Sequence, residues 1–418
     1  MRLRTAAALA ASLLAAACGP PPSTPLTSSG SAVGLEAELL QHQIQRFNQA
    51  HPQIPVSLRA TPDAADQRHQ LYVQWLNAHA TDPDVLQLDV IWTAEFAAAG
   101  WIASLDQFTP STGQFFPTTL DANRWNGSLF ALPWFVDVGL LYWRTDLMQQ
   151  APSTIHQMRE LAQHAQAEQK VPFGIVWQGA RYEGLVTVFL EYLGAFGGSI
   201  LDDKGRVAVD TDASVQALTA MCNAIRVDRT APSAVLGWQE EQTRFAFQNG
   251  EAAFMRNWPY ARPLLDDPAQ SGVAGRFAIA AMPAGEGGTA TAALGGSALA
   301  INAFSDRKDD AWAFIAFLLE PEQMLERARI AGQYPPAPAL YDTPELANAL
   351  HTDPRALRAI IDRAVARPAT PVYSELSSIL QVSLHRALSG QQTPALALRD
   401  AARDMQNLLT RVHLQPAS

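Results

Sequence analysis

Three short segments of this chain place an aromatic ring next to a carboxylate at the end of an apolar run. Asp89 stands three residues before Trp92, Trp134 and Phe135 precede Asp137, and Trp238 precedes Glu240 and Glu241. A fourth segment, Trp258-Pro259-Tyr260, offers two aromatics directly after a short strand pattern. A polyhydroxylated ring has an apolar face of C–H groups and a rim of hydroxyls. Flat aromatic rings cover the face, and an ionised carboxylate accepts two hydroxyl hydrogen bonds at once. The competing use of every Trp is core packing. Trp75, Trp101, Trp177 and Trp312 follow helical or strand periodicity and are assigned to the core. The sets at chain crossings are the better binding candidates.

The chain offers little to a catalyst. Gly295-Gly296-Ser297-Ala298-Leu299 does not fit the Gly-x-Ser-x-Gly elbow. There is no His-Glu-x-x-His, no Walker A loop and no Gly-x-Gly-x-x-Gly after a strand. The nine histidines are scattered, and His42, His69 and His79 read as solvated side chains on helix faces. No metal or cofactor is therefore expected. A glycosidase needs only two carboxylates. With 40 acidic residues some pair is inevitable, so that signal decides nothing.

The elements that must position these residues alternate apolar runs with amphipathic helices, which argues an α/β layered architecture. Leu35, Leu39, Leu40, Ile44 and Phe47 recur at helical spacing, and His51-Pro52 ends that helix. Strands are expected over Ile54–Ala60 and Asp84–Trp92, with a helix from Arg68 to His79 between them. After Asp146 the pattern restarts, with helices over Thr154–Glu168 and Gly184–Leu193, a helix to Arg226 capped by Asp212, and Glu240–Gln248 closed by Asn249-Gly250. Helices near Glu375–Leu388 and Thr393–Leu409 finish the chain.

Three extended Pro/Gly stretches interrupt this order: Phe130–Trp143, the run from Phe277 through a Gly-rich loop to Asn302, and Tyr334–Pro338. They suit crossings between two lobes, each assembled from discontinuous pieces. The expected organisation is a first lobe from 26–136 and 303–333 and a second from 137–302 and 334–418. Ligands favour the interface between such lobes and the carboxyl ends of strands.

Composition narrows the partners. Of 418 residues 48% are hydrophobic, which is the globular range, and the net charge is −10. No basic stripe exists for nucleic acid. Met1–Ala17 has Arg2 and Arg4 before an apolar run too short to span a membrane, which reads as a leader over 1–17. It ends Leu14-Ala15-Ala16-Ala17-Cys18-Gly19, which resembles a bacterial lipobox, although Leu sits at −4 and Ala15 at the usual leucine position −3. The alternative is a plain Ala-x-Ala secretory site with an incidental Cys18; both export the protein. Residues 18–25 are Pro-rich and suit a spacer between anchor and fold. Cys222, in an apolar helical stretch, reads as a buried thiol.

Five ordered segments carry a resemblance to the family 1 extracellular solute-binding proteins, the sugar-capturing subunits of ABC importers, and within them to the trehalose/maltose group. They are Asp82–Trp92, Pro133–Trp143, Asn249–Tyr260, Leu294–Ser297 and Ala366–Pro371. The resemblance runs from about Leu35 to Leu409 and implies a bilobal periplasmic-binding-protein-like α/β fold, closing on its ligand by hinge motion. It implies that Glu36, Asp89 and Asp137 accept sugar hydroxyls and that Arg68 and Arg367 donate from the two lobes. Trp258 would stack on a ring with Tyr260 at its edge, and Gly295 and Gly296 would admit backbone close to the sugar. Phe135 stands where the group tends to carry Tyr, and Ser297 where an aromatic can follow the paired glycines. The partners so implied are a small carbohydrate and membrane permease subunits, with a monomeric receptor held to the membrane by a lipid on Cys18. Two competing expectations remain open: an exported glycosidase-like enzyme, and a receptor subunit that senses sugar rather than importing it.

Overall fold

The computed structural model describes residues 24–31, 34–168, 170–350 and 352–412. Cys18 and the leader lie outside them. The strands, in chain order, are β1 (Leu26–Gly30), β2 (Val56–Ala60), β3 (Val85–Asp89), β4 (Arg124–Trp125), β5 (Ser128–Leu129), β6 (Ala131–Val138), β7 (Leu140–Arg144), β8 (Phe173–Val176), β9 (Ala252–Asn257), β10 (Phe277–Ala281) and β11 (Leu294–Ile301). They form a five-stranded sheet in the order β2-β1-β3-β11-β6, a four-stranded sheet β10-β7-β9-β8, and the small hairpin β4-β5.

Each main sheet is the centre of one lobe. In the first, β1 runs parallel to β2 and β3, while β11 is antiparallel to both β3 and β6. Helices Glu36–Ala50 and Lys308–Leu318 cover it, burying Leu40, Phe47, Phe314 and Leu318 with Trp134. In the second, helices Ile155–Ala167, Glu183–Ala195, Asp212–Arg226, Tyr373–Leu388 and Pro394–Arg411 pack a core that includes Phe189, Met221, Leu380 and Met405. Helix Glu183–Ala195 is buried along nearly its whole length, which explains its largely apolar sequence.

The chain passes from one main sheet to the other in the first two of the extended stretches, and the third lies against β6. The first stretch is two strands rather than one: β6 belongs to the first sheet, β7 to the second, and Gly139 stands between them. The second crossing lies between β10 and β11. The third stretch carries Tyr334, which pairs with Val136.

Two expectations need correction. Residues 294–301, assigned from sequence to the second lobe, form a central strand of the first sheet, hydrogen-bonded to β3 on one side and β6 on the other. Its apolar run is buried by that central place, so the chain crosses before 294 and not at 302. The helix expected to be capped by Asp212 is capped by Thr211, whose hydroxyl accepts from the Ser214 N–H at 3.4 Å.

Candidate functional site

The sugar-type residues expected from sequence converge. Glu36, Arg68, Asp89, Phe135, Asp137, Trp258, Tyr260, Gly295, Gly296 and Arg367 all line one cavity of about 120 Å³ between the lobes. Their convergence follows from topology. Asp89 ends β3, Asp137 is the penultimate residue of β6, Gly295 and Gly296 open β11, and Trp258 follows β9, so strand ends from both sheets face one gap.

The first-lobe wall is held by its own hydrogen bonds. Glu36 is the first residue of its helix, where a carboxylate suits the helix dipole. It accepts from the Ser31 hydroxyl and from Gln87 Nε2 at 2.7 Å. Gln87 in turn accepts from the Ser31 N–H at 2.7 Å and donates to Ser297 Oγ at 3.1 Å. Arg68 donates to the carbonyls of Pro62 and Asp63 at 3.0 and 3.2 Å, while its buried Nε has no partner among the described residues.

Asp137 differs from its neighbours. Its Oδ1 is buried without a hydrogen-bond partner among the described residues. Burial first, then the negative charges of Glu36 and Asp89, push its carboxyl up to about 8, against the pull of Arg256 and Arg327. A carboxyl in this state keeps its proton near neutral pH, so it can both donate to and accept from a ligand hydroxyl.

Glycine is required at Gly296, and space is tight at Gly295. A Cβ on Gly295 would stand 3.1 Å from the Trp258 ring, and one on Gly296, at φ +116°, would stand 2.3 Å from the Phe135 carbonyl oxygen. On the second lobe, Trp258 Nε1 donates to Glu240 Oε1 at 3.4 Å and the Tyr260 hydroxyl donates to Glu241 at 2.7 Å. Burial raises the carboxyl of Glu240.

Arg367 bridges the lobes. Its Nη2 donates to Asp89 Oδ1 at 2.8 Å in the first lobe and its Nη1 to Glu183 Oε1 at 2.9 Å in the second. Burial works against its charge, but the two carboxylates prevail and raise its pKa. The lobes also meet where Asp66 accepts from the Glu183 N–H at 3.2 Å and from Gln381 at 3.0 Å. The cleft is therefore closed at this edge. Nearby, Ser374 and Glu95 both reach the same nitrogen of His69, at 3.3 and 2.9 Å. A hydrolytic relay needs the two groups on opposite ring nitrogens, so this is a contact between lobes and not a nucleophile–base pair. Among the described residues no group of three His, Cys, Asp or Glu stands placed to hold a metal ion.

A model of the bacterial extracellular solute-binding proteins matches residues 32–325, across both lobes and all but one of the ten residues above. The chain belongs to this family. A probable ABC transporter-binding protein of Deinococcus radiodurans is 35% identical over 359 residues, covering 82% of this chain and 84% of the relative. The maltose-bound structure of MalE3 from T. maritima is 41% identical, with a TM-score of 0.88 over 92% of this chain and 100% of that one. The sugar-binding protein MalE of Xanthomonas citri, at 24% identity and TM-score 0.73 over 94% of this chain and 98% of that one, shares the fold.

In this solute-binding protein the aromatic sets divide. Only the Trp258 set and Phe135 reach the cavity. Trp92 is 2% exposed and packs with Tyr72 and Phe96, and Trp134 is 1% exposed in the first-lobe core. Trp238 lies edge-on to Phe173. Packing from distant segments decides these burials, and local spacing does not reveal it. Arg367, expected to donate to ligand, is occupied by carboxylates. The cavity also holds Glu183, Gln87, Tyr182 and Gln333, which sequence reasoning did not single out. For Glu183 a signal existed: it is a carboxylate heading a largely apolar helix. A roomier hollow of about 480 Å³ lies within the second lobe between helices Ile155–Ala167 and Asp212–Arg226, away from these residues.

Proposed function

We propose that this protein captures an α-linked disaccharide of trehalose or maltose type, or a short malto-oligosaccharide, in the interlobe cavity. It passes the sugar unchanged to the permease subunits of an ABC importer. The observation that carries this reading is the meeting, in one cavity spanning both lobes, of an aromatic platform, two side-chain-free glycines and carboxyl groups with hydrogen-bonding capacity to spare. Trp258 covers a ring face, Gly295 and Gly296 admit the ring edge, and Asp137 and Glu36 accept hydroxyls. Maltose in the 41%-identical MalE3 structure supports the choice of sugar. The cavity of about 120 Å³ is smaller than the roughly 150 Å³ that encloses a benzene, so the lobes must part further to admit a disaccharide.

Binding draws its energy from contacts available only when both lobes reach the ligand, so sugar favours the closed form by its differential affinity. Export follows the leader, and acylation of Cys18 would tether the receptor through the Pro-rich spacer 18–25. The protein acts as a monomer and performs no chemistry of its own.

A thermal-shift panel on the leaderless protein tests this. Trehalose, maltose, longer maltodextrins, sucrose and monosaccharides are compared, and each mixture is analysed for breakdown. A sugar at a hundred times its Kd stabilises the native state by about 2.7 kcal/mol. A shift with an α-linked disaccharide recovered intact is expected. No shift with any sugar defeats the assignment, and consumption of the sugar makes the protein an enzyme.

A further inference from the structure

Behind the aromatic platform lies an ion pair with no direct path to a ligand. Arg256 on β9 and Glu191 on helix Glu183–Ala195 have fully buried side chains. Arg256 Nε donates to Glu191 at 2.9 and 3.1 Å, Nη2 donates to the same carboxylate, and Nη1 donates to Gln178 Oε1 at 3.1 Å. Gln178 closes the loop by donating to the Arg256 carbonyl at 3.1 Å. Every nitrogen of the guanidinium is thus occupied within the protein.

What the guanidinium has left is its face, and that face meets Trp258. The guanidinium carbon stands 3.9 Å from the ring centroid. The ring is also pinned by its Nε1–H on Glu240, and its backbone N–H donates to Asn257 at 2.8 Å. The same ion pair abuts two of the crossings between lobes. Glu191 accepts from the Ala293 N–H at 3.4 Å, and a Cβ at Gly139 would overlap its carboxylate at 1.7 Å.

We propose that Arg256, oriented by Glu191, is a positioning residue for ligand binding: it fixes the Trp258 platform against the crossing segments and holds one ring face so that the rest is presented to the cavity. This rests on the reading of the cavity as a sugar site. A planar cation held in a buried site against an indole holds the ring in one rotamer and strengthens its interaction beyond area alone. Removing that support loosens the platform without removing any group that touches sugar.

The test pairs two variants. Replacing the ion pair together, Glu191→Gln with Arg256→Met, avoids leaving a lone buried charge and keeps the fold. Arg256→Lys keeps the charge but loses the plane. Affinity for maltose and trehalose is measured in each, alone and combined with Trp258→Phe. The expected result is a loss of roughly three- to thirtyfold in the double replacement, partly restored in Arg256→Lys. Trp258→Phe is then expected to cost less in those backgrounds than in the native protein. Independent losses that multiply would overturn the proposal. A second arm needs no sugar: the near-UV circular-dichroism band removed by Trp258→Phe is compared in each background. An unchanged band overturns the proposal even if no sugar binds, whereas failure of the native protein to bind sugar counts only against the sugar assignment.

Discussion

Two buried arginines flank the cleft and do opposite things. Arg256 is paired with Glu191 inside the second lobe, and both side chains are wholly buried. Arg367 is nearly as buried but divides its bonds between Glu183 in its own lobe and Asp89 across the gap. A pair enclosed in one lobe survives opening intact. A pair that crosses the gap must be broken when the lobes part, and its carboxylate partner on the far side returns to water. Similar chemistry thus serves as an internal brace in one place and as a clasp in the other. The difference lies in which rigid body owns the partner.

The largest effect should come from breaking the brace. Glu191→Ala leaves Arg256 charged and enclosed, with one amide acceptor remaining. Removing one partner of a buried pair costs about 3–5 kcal/mol. The melting temperature is expected to fall by roughly 4–6 °C, read by differential scanning calorimetry. A drop of a degree or two would mean that water or a shifted side chain replaces Glu191, and the brace reading would fail.

The clasp should act on affinity more than on folding. Arg367→Ala removes the bond that crosses the cleft and leaves Glu183 with Tyr373 and Ser377 as donors. The closed form loses stability relative to the open one. Sugar affinity is expected to weaken by about 5- to 150-fold, measured by titration calorimetry, with a smaller fall in melting temperature than for Glu191→Ala. If the two variants show the same balance of stability and affinity, the distinction between brace and clasp is lost.

Asp137 sharpens the comparison, because it lines the same cavity as Arg367 and its buried Oδ1 has no hydrogen-bond partner among the described residues. Its folded pKa of about 8 lies above its unfolded value. The folded state therefore binds the extra proton between about pH 4 and 8, and stability falls as pH rises through that window. Asp137→Asn removes this penalty. The variant is expected to melt a few degrees higher at pH 8 and to differ little at pH 4, while binding sugar more weakly. An unchanged pH profile of the melting temperature would show that another group carries the proton.

Much of this was legible in the sequence, for reasons that also explain the misses. Helices Glu36–Ala50 and Tyr373–Leu388 announce themselves through apolar periodicity, a local property. The ten cavity residues came together because their segments sit at strand ends and crossings, which aromatic, glycine and proline residues mark. The lobe of β11 was not legible, since a strand's neighbours are chosen by pairing with β3 and β6 far away in sequence. Nor was the state of Arg367: an arginine before a proline gives no hint of carboxylates at positions 89 and 183. The brace was the least visible feature. Glu191 and Arg256 are 65 residues apart, and each sits alone in an apolar run.

The smallest effect offers a control on the whole comparison. Cys222 is buried in helix Asp212–Arg226 within the second-lobe core, and burial raises its thiol pKa against the pull of Arg226. A thiolate reagent reaches it only when that lobe opens up internally. Rigid-body parting of the lobes leaves its surroundings unchanged. Arg367→Ala should therefore label at the native rate within a factor of about two, whereas Glu191→Ala, which weakens the same core, should label faster in step with its lost stability. Equal acceleration in both variants would mean that the clasp also holds the second lobe together, and that cleft opening and local unfolding are one event rather than two.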